Sequence, residues 1–327
     1  MSTEKWWYTD ELKPINPKYP KGIVFHVTDS YIAYFSVTLQ SFLERVKPNK
    51  EYDIVVMTTD ISEVNVLLLR GMVKPFTNIS LRFYNPHKWI VEFRKTQKIV
   101  TFNPTLIYTR MSLPWICEHY DVILDLDVDL IVAADLDVIL DVKWQDDQYI
   151  AAAPDYGYEG FGDVVPAMKK ILGIAQDSIY INCGVQVNHV KAIRRDFAIE
   201  DMQKAMNDRY AKHDISPVSL PEQDVFNVVY ENHILYLDSR WNVFPDNTIV
   251  MRGILFHSDL NVINRWLSDQ KEAYIVHYAG NPKPWKDPYL GGSRLWWNMA
   301  TKTPCFEQLL AMAKKNLADE LARYRRS

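Results

Sequence analysis

Residues 122–132, VILDLDVDLIV, decide the fold class and the site that the sequence predicts. The apolar flanks favour a buried strand over a solvated acidic run. Side chains alternate between the two faces of a strand, so Asp125, Asp127 and Asp129 are expected on one face. Three neighbouring carboxylates repel one another unless a cation lies among them. The stretch therefore predicts a divalent metal site at the carboxyl end of a central strand, where open α/β sheets bind ligands.

This stretch has two other interpretations. In the first, it is an edge strand whose inward-pointing charges prevent pairing with another chain. The second, an EF-hand calcium loop, is excluded because Leu130 stands where glycine is required and Leu136 where the bidentate glutamate belongs. Oxygen ligands indicate Mg²⁺ or Mn²⁺.

Strands and helices alternate on the amino-terminal side of this stretch. Short β-branched runs predict strands, and apolar residues at helical spacing predict helices between them. The predicted strands are residues 22–29, 52–60 and 79–85, and the predicted helices are residues 31–46 and 62–71, the second stopped by Gly71. Such alternation indicates βαβ units with a mainly parallel sheet covered on both faces.

The carboxyl-terminal side continues the same pattern. Further strands are predicted at residues 149–153 and 180–188, and helices at residues 108–120 (with Pro114 in the first turn), 194–206 and 309–324. The fold class is therefore α/β, with a single Rossmann-like domain and a mainly parallel central sheet. Its expected parts are an extended lead-in over residues 1–21, a catalytic domain over residues 22–285 and a small helical extension over residues 286–327.

Composition excludes several classes of protein. The chain has 327 residues, of which 48% are hydrophobic and 24% charged, and its net charge is −4. These values exclude a disordered tail, a coiled coil or a fibre, and they argue against a nucleic-acid partner. Three cysteines without a CxxC pair indicate reduced thiols and a cytoplasmic location. No signal peptide or membrane-spanning run is visible in the sequence.

Residues 277–285, HYAGNPKPW, carry the second set of candidate residues. His277 follows a short apolar run and would favour Mn²⁺ as a borderline ligand. Gly280 would let the backbone approach a phosphate, and Lys283 would place a positive charge on it. The chain has neither GxGxxG nor GxxxxGK[ST], so a metal would have to neutralise the phosphates of a bound nucleotide.

Together these segments resemble the family 8 glycosyltransferases, retaining enzymes that include glycogenin and bacterial lipopolysaccharide galactosyl- and glucosyltransferases. The resemblance covers roughly residues 22–290. Seven segments carry it in order: VTDSY (27–31), YTR (108–110), DVD (127–129), YINCGV (180–185), EQDVFN (222–227), RWN (240–242) and the segment at 277–285. It implies a fold of the GT-A type and a Mn²⁺- or Mg²⁺-dependent enzyme that acts on a UDP-sugar.

The resemblance also implies roles for individual residues. The implied metal ligands are Asp127, Asp129 and His277. The implied nucleotide-binding residues are Val27, Thr28, Asp29, Tyr31 (stacked on uracil), Arg110, Val128, Gly280 and Lys283. The implied sugar-binding residues are Arg110, Asp127, Asn182, Cys183, Glu222 and Gln223. The implied catalytic residues are Gln223, Glu222 and Lys283.

Three positions depart from the family pattern. Asp125 replaces a usual tyrosine, Cys183 a smaller serine or alanine, and Glu222 an aspartate. These departures leave the donor sugar open, with UDP-glucose or UDP-galactose favoured. Gln223 matches the family position nearest the reacting carbon, but its amide is a poor nucleophile. The expectation is therefore front-side attack, and a covalent intermediate on Glu222 or Asp155 is the alternative.

The expected function is transfer of a hexose, with retention, to a saccharide or glycolipid acceptor, as in lipopolysaccharide biosynthesis. A non-catalytic nucleotide-sugar-binding protein and a sugar-nucleotide pyrophosphorylase are the alternatives. The basic carboxyl-terminal helix predicts either peripheral contact with the inner membrane face or a last turn that complements the helix dipole. Its basic residues are Lys314, Lys315, Arg323, Arg325 and Arg326.

Overall fold

The computed structural model describes residues 5–96, 104–159, 164–211, 221–245 and 260–324. The strands in these ranges are β1 (Lys21–His26), β2 (Tyr52–Met57), β3 (Ile79–Tyr84), β4 (Val122–Leu126), β5 (Leu130–Val132), β6 (Ile150–Pro154), β7 (Ile181–His189), β8 (Ile234–Tyr236) and β9 (Ile275–His277).

The helices before β7 are α1 (Ile32–Leu43), α2 (Glu63–Val73), α3 (His87–Thr96), α4 (Pro104–Ile116), α5 (Asp137–Leu140), α6 (Tyr156–Glu159) and α7 (Val164–Leu172). Those after it are α8 (Val190–Asp196), α9 (Ile199–Ala211), α10 (Pro221–Val229), α11 (Leu260–Asp269), α12 (Ser293–Ala300) and α13 (Phe306–Tyr324). Short 3₁₀ turns cover Asp29–Tyr31 and Ser239–Asn242.

Seven strands form the central sheet in the order β3-β2-β1-β4-β7-β6-β8. The first four are parallel, β7 is antiparallel to both of its neighbours, and β8 is parallel to β6. The mainly parallel sheet is thus confirmed. Because β7 runs the opposite way and Val185 lies opposite Leu126, the first four residues of β7 extend past the end of β4.

The acidic stretch forms two strands, so the expectation of one continuous strand is wrong. β4 ends at Leu126, and β5 pairs with β9 in a separate two-stranded sheet, with Leu130 opposite His277. Asp127 and Asp129 lie on the turn between the two strands, while Asp125 stays inside β4. The edge-strand interpretation is also wrong, because β4 lies between β1 and β7.

Helices cover both faces of the sheet. On one face, Phe25 of β1 and Leu124 of β4 pack against Phe35 of α1. On the other, Val24 and Ile123 join the side chains of α4. All of these side chains are buried, and each contributes about 1.5–3 kcal/mol by leaving water. This core holds the strand ends that carry the site.

The observed helices differ from the predicted bounds, and in three of them the difference has a local cause. Pro114 lies in the last turn of α4, not the first, because the helix begins at Pro104. The helix predicted over residues 194–206 is two helices, broken where Phe197 adopts an extended backbone. α2 runs past Gly71, because a glycine weakens a helix without ending it and the buried Val73 holds the last turn.

The lead-in and the carboxyl-terminal residues pack on this domain. Tyr8 forms a parallel bridge with Phe83, so the described part of the lead-in runs beside β3. Trp296 of α12 and Leu309 of α13 belong to one buried apolar cluster with Val37 of α1.

Candidate active site

The site lies where the carboxyl ends of β1 and β4 meet the start of β7. Backbone hydrogen bonds fix the turn after β4, because the Asp127 amide donates to the Gly184 carbonyl (2.9 Å). The Tyr278 amide donates to the Asp129 carbonyl (3.0 Å), which attaches the residues after β9 to the same turn. The two aspartates and His277 therefore face one another although they are far apart in the sequence.

The side chains of Asp127, Asp129 and His277 form a cluster that fits a divalent metal ion. Each offers a ligand atom, and these atoms lie within 4.8 Å of one another. His277 Nε2 lies 3.4 Å from Asp127 Oδ2 and 3.4 Å from Asp129 Oδ1. Two carboxylates with one imidazole suit Mn²⁺ or Mg²⁺.

Gly184 forms the floor of this cluster. A Cβ atom at this position would lie 2.3 Å from His277 Cε1 and 2.7 Å from Asp127 Oδ2. No real Cβ contact is that short, so β7 must carry a glycine here for the three ligands to converge. This fit between the backbone and the ligand set supports a metal site.

Electrostatic contacts shift the pKa values of all three residues of the cluster. Burial raises the pKa of Asp127, but Arg110 and His277 hold that pKa well below its usual range. Burial is likewise outweighed at Asp129, whose pKa is lowered by Lys283 and His277. The pKa of His277 rises to about 9, because the attraction of the two carboxylates exceeds the effect of burial.

Arg110 joins this cluster to a buried charge in β4. Its Nε donates to Asp125 Oδ2 (2.9 Å) and its Nη2 to Asp127 Oδ1 (2.6 Å). The other oxygen of Asp125 lies 3.1 Å from His26 Nε2. Burial lowers the pKa of Arg110, but Asp125 and Asp127 raise it well above its ordinary value. Asp125 therefore forms an ion pair with Arg110 and is not part of the cluster of Asp127, Asp129 and His277.

Thr38 of α1 holds the turn between β4 and β5 by hydrogen bonds to its backbone. Its hydroxyl lies 2.7 Å from the Val128 carbonyl, to which it donates, and it accepts from the Leu130 amide (3.2 Å). Thr38 and Leu130 are buried and Val128 is partly buried, and unpaired backbone groups are costly in such surroundings. One side chain of α1 thus holds the backbone on both sides of Asp129.

A groove of about 360 Å³ opens beside the cluster. Tyr31 stands at its edge with 41% of its surface exposed, and Lys283 reaches both Asp129 Oδ2 and the Tyr278 carbonyl. The groove is lined by His26, Val27, Thr28, Tyr31, Met57, Leu106, Asp127, Val128, Asp129 and Lys283. Gly280 precedes Lys283 in a left-handed conformation (φ 75°), which a residue with a side chain adopts only with strain.

Polar side chains line the other side of the cluster, on β7, α10 and the end of β6. Asp155 accepts from Asn182 Nδ2 and from Gln223 Nε2, both at 2.9 Å. Gln223 Oε1 accepts from the Cys183 amide (3.2 Å). One carboxylate oxygen of Glu222 is buried without a hydrogen-bond partner among the described residues, and burial raises the pKa of Glu222.

Comparison with known proteins accounts for this arrangement. The family model described as glycosyl transferase family 8 matches residues 22–288. The chain belongs to this family. It is 24% identical over 278 residues to the glycosyltransferase GlyF of Streptococcus pneumoniae serotype 4, covering 85% of this chain and 60% of GlyF. It is 19% identical to a lipopolysaccharide 1,2-glucosyltransferase of Escherichia coli, covering 81% of this chain and 73% of that protein.

Solved structures with the same fold include the apo structure of WbbM, a bifunctional glycosyltransferase, with a TM-score of 0.80 and 22% identity. That match covers 92% of this chain and 53% of WbbM. The galactosyltransferase LgtC, solved with donor and acceptor sugar analogues, matches with a TM-score of 0.66 and 24% identity over 86% of this chain and 96% of LgtC. The family 8 chain thus spans 60% of GlyF and about half of WbbM.

The structure gathers most of the predicted residues of this family 8 chain at one site. Asp29 is the exception among those with described partners. Its carboxylate accepts from the Ser62 amide and from Asn65 Nδ2, both at 2.7 Å, and so lies against the start of α2. Asp29 is absent from the groove lining.

Sequence reasoning missed residues that hold the site together. Thr38 and Gly184 were given no role, and neither was Asn242, although it lies in the RWN segment. Asp155 was considered only as an alternative nucleophile. The one sequence signal for Gly184 and Asn242 is that both stand in segments that resemble the family.

Proposed function

We propose that this glycosyltransferase moves a hexose from a UDP-sugar, with retention at C1, to a saccharide or glycolipid acceptor. UDP-glucose and UDP-galactose are the favoured donors, and Mn²⁺ or Mg²⁺ is required. The observation that carries the proposal is the convergence of Asp127, Asp129 and His277 beside a groove that ends at Tyr31.

The groove matches the nucleotide half of such a donor. Tyr31 offers an exposed ring on which uracil can stack, with Thr28 and Val27 beside it. Lys283 would reach the diphosphate, because its ammonium group already lies at the metal cluster on Asp129. Arg110 adds a second positive charge that is held in place by Asp125.

The polar groups beyond the cluster match the sugar half. One buried carboxylate oxygen of Glu222 has no hydrogen-bond partner among the described residues and can accept a hydrogen bond from a sugar hydroxyl. Asn182 and Gln223 are fixed by their bonds to Asp155, which suits groups that orient a ring. Cys183 lies beside both residues and would narrow the pocket for the sugar.

Front-side attack fits these residues. The acceptor hydroxyl attacks C1 on the face that UDP leaves, the bond from C1 to the β-phosphate oxygen breaks, and a phosphate oxygen takes the hydroxyl proton. A bound divalent ion supplies Lewis-acid stabilisation of the diphosphate. Lys283 stabilises the charge that develops there. The covalent alternative on Asp155 is less favourable, because this carboxylate accepts three N–H groups, including the Tyr158 amide.

Release of UDP from UDP-glucose and UDP-galactose, with Mn²⁺ and after EDTA, tests the proposal. Asp129→Ala should lower the metal-dependent rate at least 100-fold, because the ion loses a charged ligand. Asp146→Ala, at an exposed turn before β6 and away from the cluster, is the matched control and should keep the rate.

Full activity in excess EDTA would contradict the metal requirement. Binding of UDP-sugar without UDP release, with every donor and acceptor tried, would favour the non-catalytic interpretation. Formation of UDP-sugar from UTP and a sugar phosphate would favour a pyrophosphorylase.

A further inference from the structure

A row of buried amide side chains connects the metal cluster to the sugar side of the site. His277 Nδ1 lies 2.8 Å from Asn242 Oδ1, and Asn242 Nδ2 lies 2.8 Å from Asn182 Oδ1. Asn182 in turn reaches Asp155, which also holds Gln223. Asn242 is fully buried, and Asn182 and Asp155 are nearly so.

The direction of every hydrogen bond in this row follows from its two ends. The Asp155 carboxylate accepts three N–H groups, so the Asn182 group facing it is the NH₂. Asn182 Oδ1 then faces away, and the Gly184 amide, which can only donate, bonds to it at 2.9 Å. Asn242 must therefore donate to the same oxygen, which leaves its own Oδ1 toward His277.

This orientation decides which nitrogen of His277 is available to a metal. Because Asn242 Oδ1 can only accept, His277 Nδ1 must carry a proton. The remaining nitrogen, Nε2, is the one that faces Asp127 and Asp129. A hydrogen bond that fixes the tautomer and ring plane of a histidine ligand strengthens its bond to a metal.

We infer that Asn242 is a positioning residue for the metal ligand His277, and that its own orientation is set by Asn182 and Asp155. The inference deepens the proposed function and rests on it for the identity of the ion. It also gives the metal ligand and Gln223 a common anchor, Asp155, so the two halves of the donor site are held in register by one carboxylate.

The test measures Mn²⁺ affinity directly, from the electron paramagnetic resonance signal of free Mn²⁺, with and without UDP. Asn242→Leu keeps the volume and removes the acceptor, so the dissociation constant for Mn²⁺ should rise about 10–100-fold. Asn242→Asp keeps an acceptor for His277 Nδ1 but loses the donor to Asn182 Oδ1, so the dissociation constant should rise clearly less than in Asn242→Leu. Asn188→Leu is the matched control, because Asn188 is another buried asparagine, bonded to Gln186 away from the cluster.

The outcomes distinguish failure of the positioning role of Asn242 from failure of the metal-dependent function. Unchanged Mn²⁺ affinity in folded Asn242→Leu overturns the positioning role, and so does an equal loss in Asn242→Asp and Asn242→Leu. If Asn242→Leu does not fold, Asn242→Ser gives the same comparison, because its shorter side chain cannot span both partners. Absence of Mn²⁺ and Mg²⁺ binding by the wild-type chain, with and without UDP, contradicts the metal-dependent function itself and the inference with it.

Discussion

At Gly184, a methyl group would occupy space that the metal cluster already uses. Gly184→Ala should therefore displace His277 or Asp127 and abolish most metal-dependent activity, at a stability cost of about 1–3 kcal/mol. The measurement is UDP release at saturating Mn²⁺, together with urea unfolding.

Gly71→Ala is the control for this substitution. Gly71 lies inside α2 with open space around its Cα, so an alanine should stabilise the chain by about 0.5–1 kcal/mol and keep the activity. Wild-type activity in Gly184→Ala would mean that the ligands do not converge on the ion as described.

The pKa of His277 predicts how stability depends on pH without metal. This pKa is about 9 in the folded chain, above the ordinary value of about 6.5 for an unfolded histidine. The stabilisation is complete below pH 6.5 and is lost as the pH rises through 9. The free energy of unfolding in EDTA should fall between these values, by at most about 1.4 kcal/mol per pH unit.

Urea unfolding at pH 6.5, 7.5 and 8.5 measures this slope. His277→Gln cannot titrate and should lose this part of the pH dependence while sharing the contribution of all other groups. Equal slopes for the two proteins would contradict the raised pKa.

At the scale of elements, α1 and the turn after β4 depend on each other through Thr38. Thr38→Val keeps the shape but leaves the Val128 carbonyl and the Leu130 amide without their partner. The expected cost is about 1–3 kcal/mol of stability, with lower affinity for Mn²⁺ because the turn carries Asp129.

Thr301→Val provides the comparison. The Thr301 hydroxyl donates to the Asn298 carbonyl at the surface, where water replaces it, so the change should stay within about 0.5 kcal/mol. Similar losses in both variants would assign no special role to Thr38.

Local patterns predicted every strand of the central sheet except β8, but fewer than half of the helices in the described residues, and they did not predict the end of β4. The alternation of residues 122–126 gives a strand, and the apolar residues 130–132 continue the same pattern, so no local signal marks the break. The break arises because Leu130 pairs with His277, a contact between distant segments. Phe197 is similar, since an apolar residue at helical spacing gave no sign of the extended backbone between α8 and α9.

The candidate site divides in the same way. Asp127, Asp129 and His277 stand in motifs, and the structure brings them together. The partners that orient them follow from side-chain geometry across the fold. Asn242 bonds to a residue 60 positions away and Asp155 to one 68 positions away, so neither role could be read from spacing.

At the scale of the whole molecule, contact between the basic carboxyl-terminal helix and an anionic membrane remains a proposal. No helix in the described residues is both long and apolar enough to cross a bilayer. Lys314 and Lys315 are exposed on α13, whereas Arg325, Arg326 and the side chain of Arg323 lie outside the described residues.

Sedimentation with anionic vesicles tests the contact. The double variant Lys314→Ala/Lys315→Ala should bind about 30-fold more weakly, since each charge near such a surface is worth about 1 kcal/mol. Charge substitution is preferable to truncation, because removal of the helix would also remove the buried Leu309. Lys74→Ala/Lys88→Ala is the matched control, with the same change in net charge at two other exposed lysines. Equal binding of both double variants would mean that Lys314 and Lys315 make no contact with the membrane surface.

If the chain binds a divalent ion as proposed, the ladder between β5 and β9 also sets the order in which it can acquire this ion during synthesis. Asp127 and Asp129 leave the ribosome long before His277, and until β9 docks on β5 they have no imidazole between them. The sheet from β3 to β4, with its apolar core, needs no metal to form. On that function, loading of the ion would follow folding of this part of the sheet, and folded metal-free protein could take up Mn²⁺ or Mg²⁺ later without new translation.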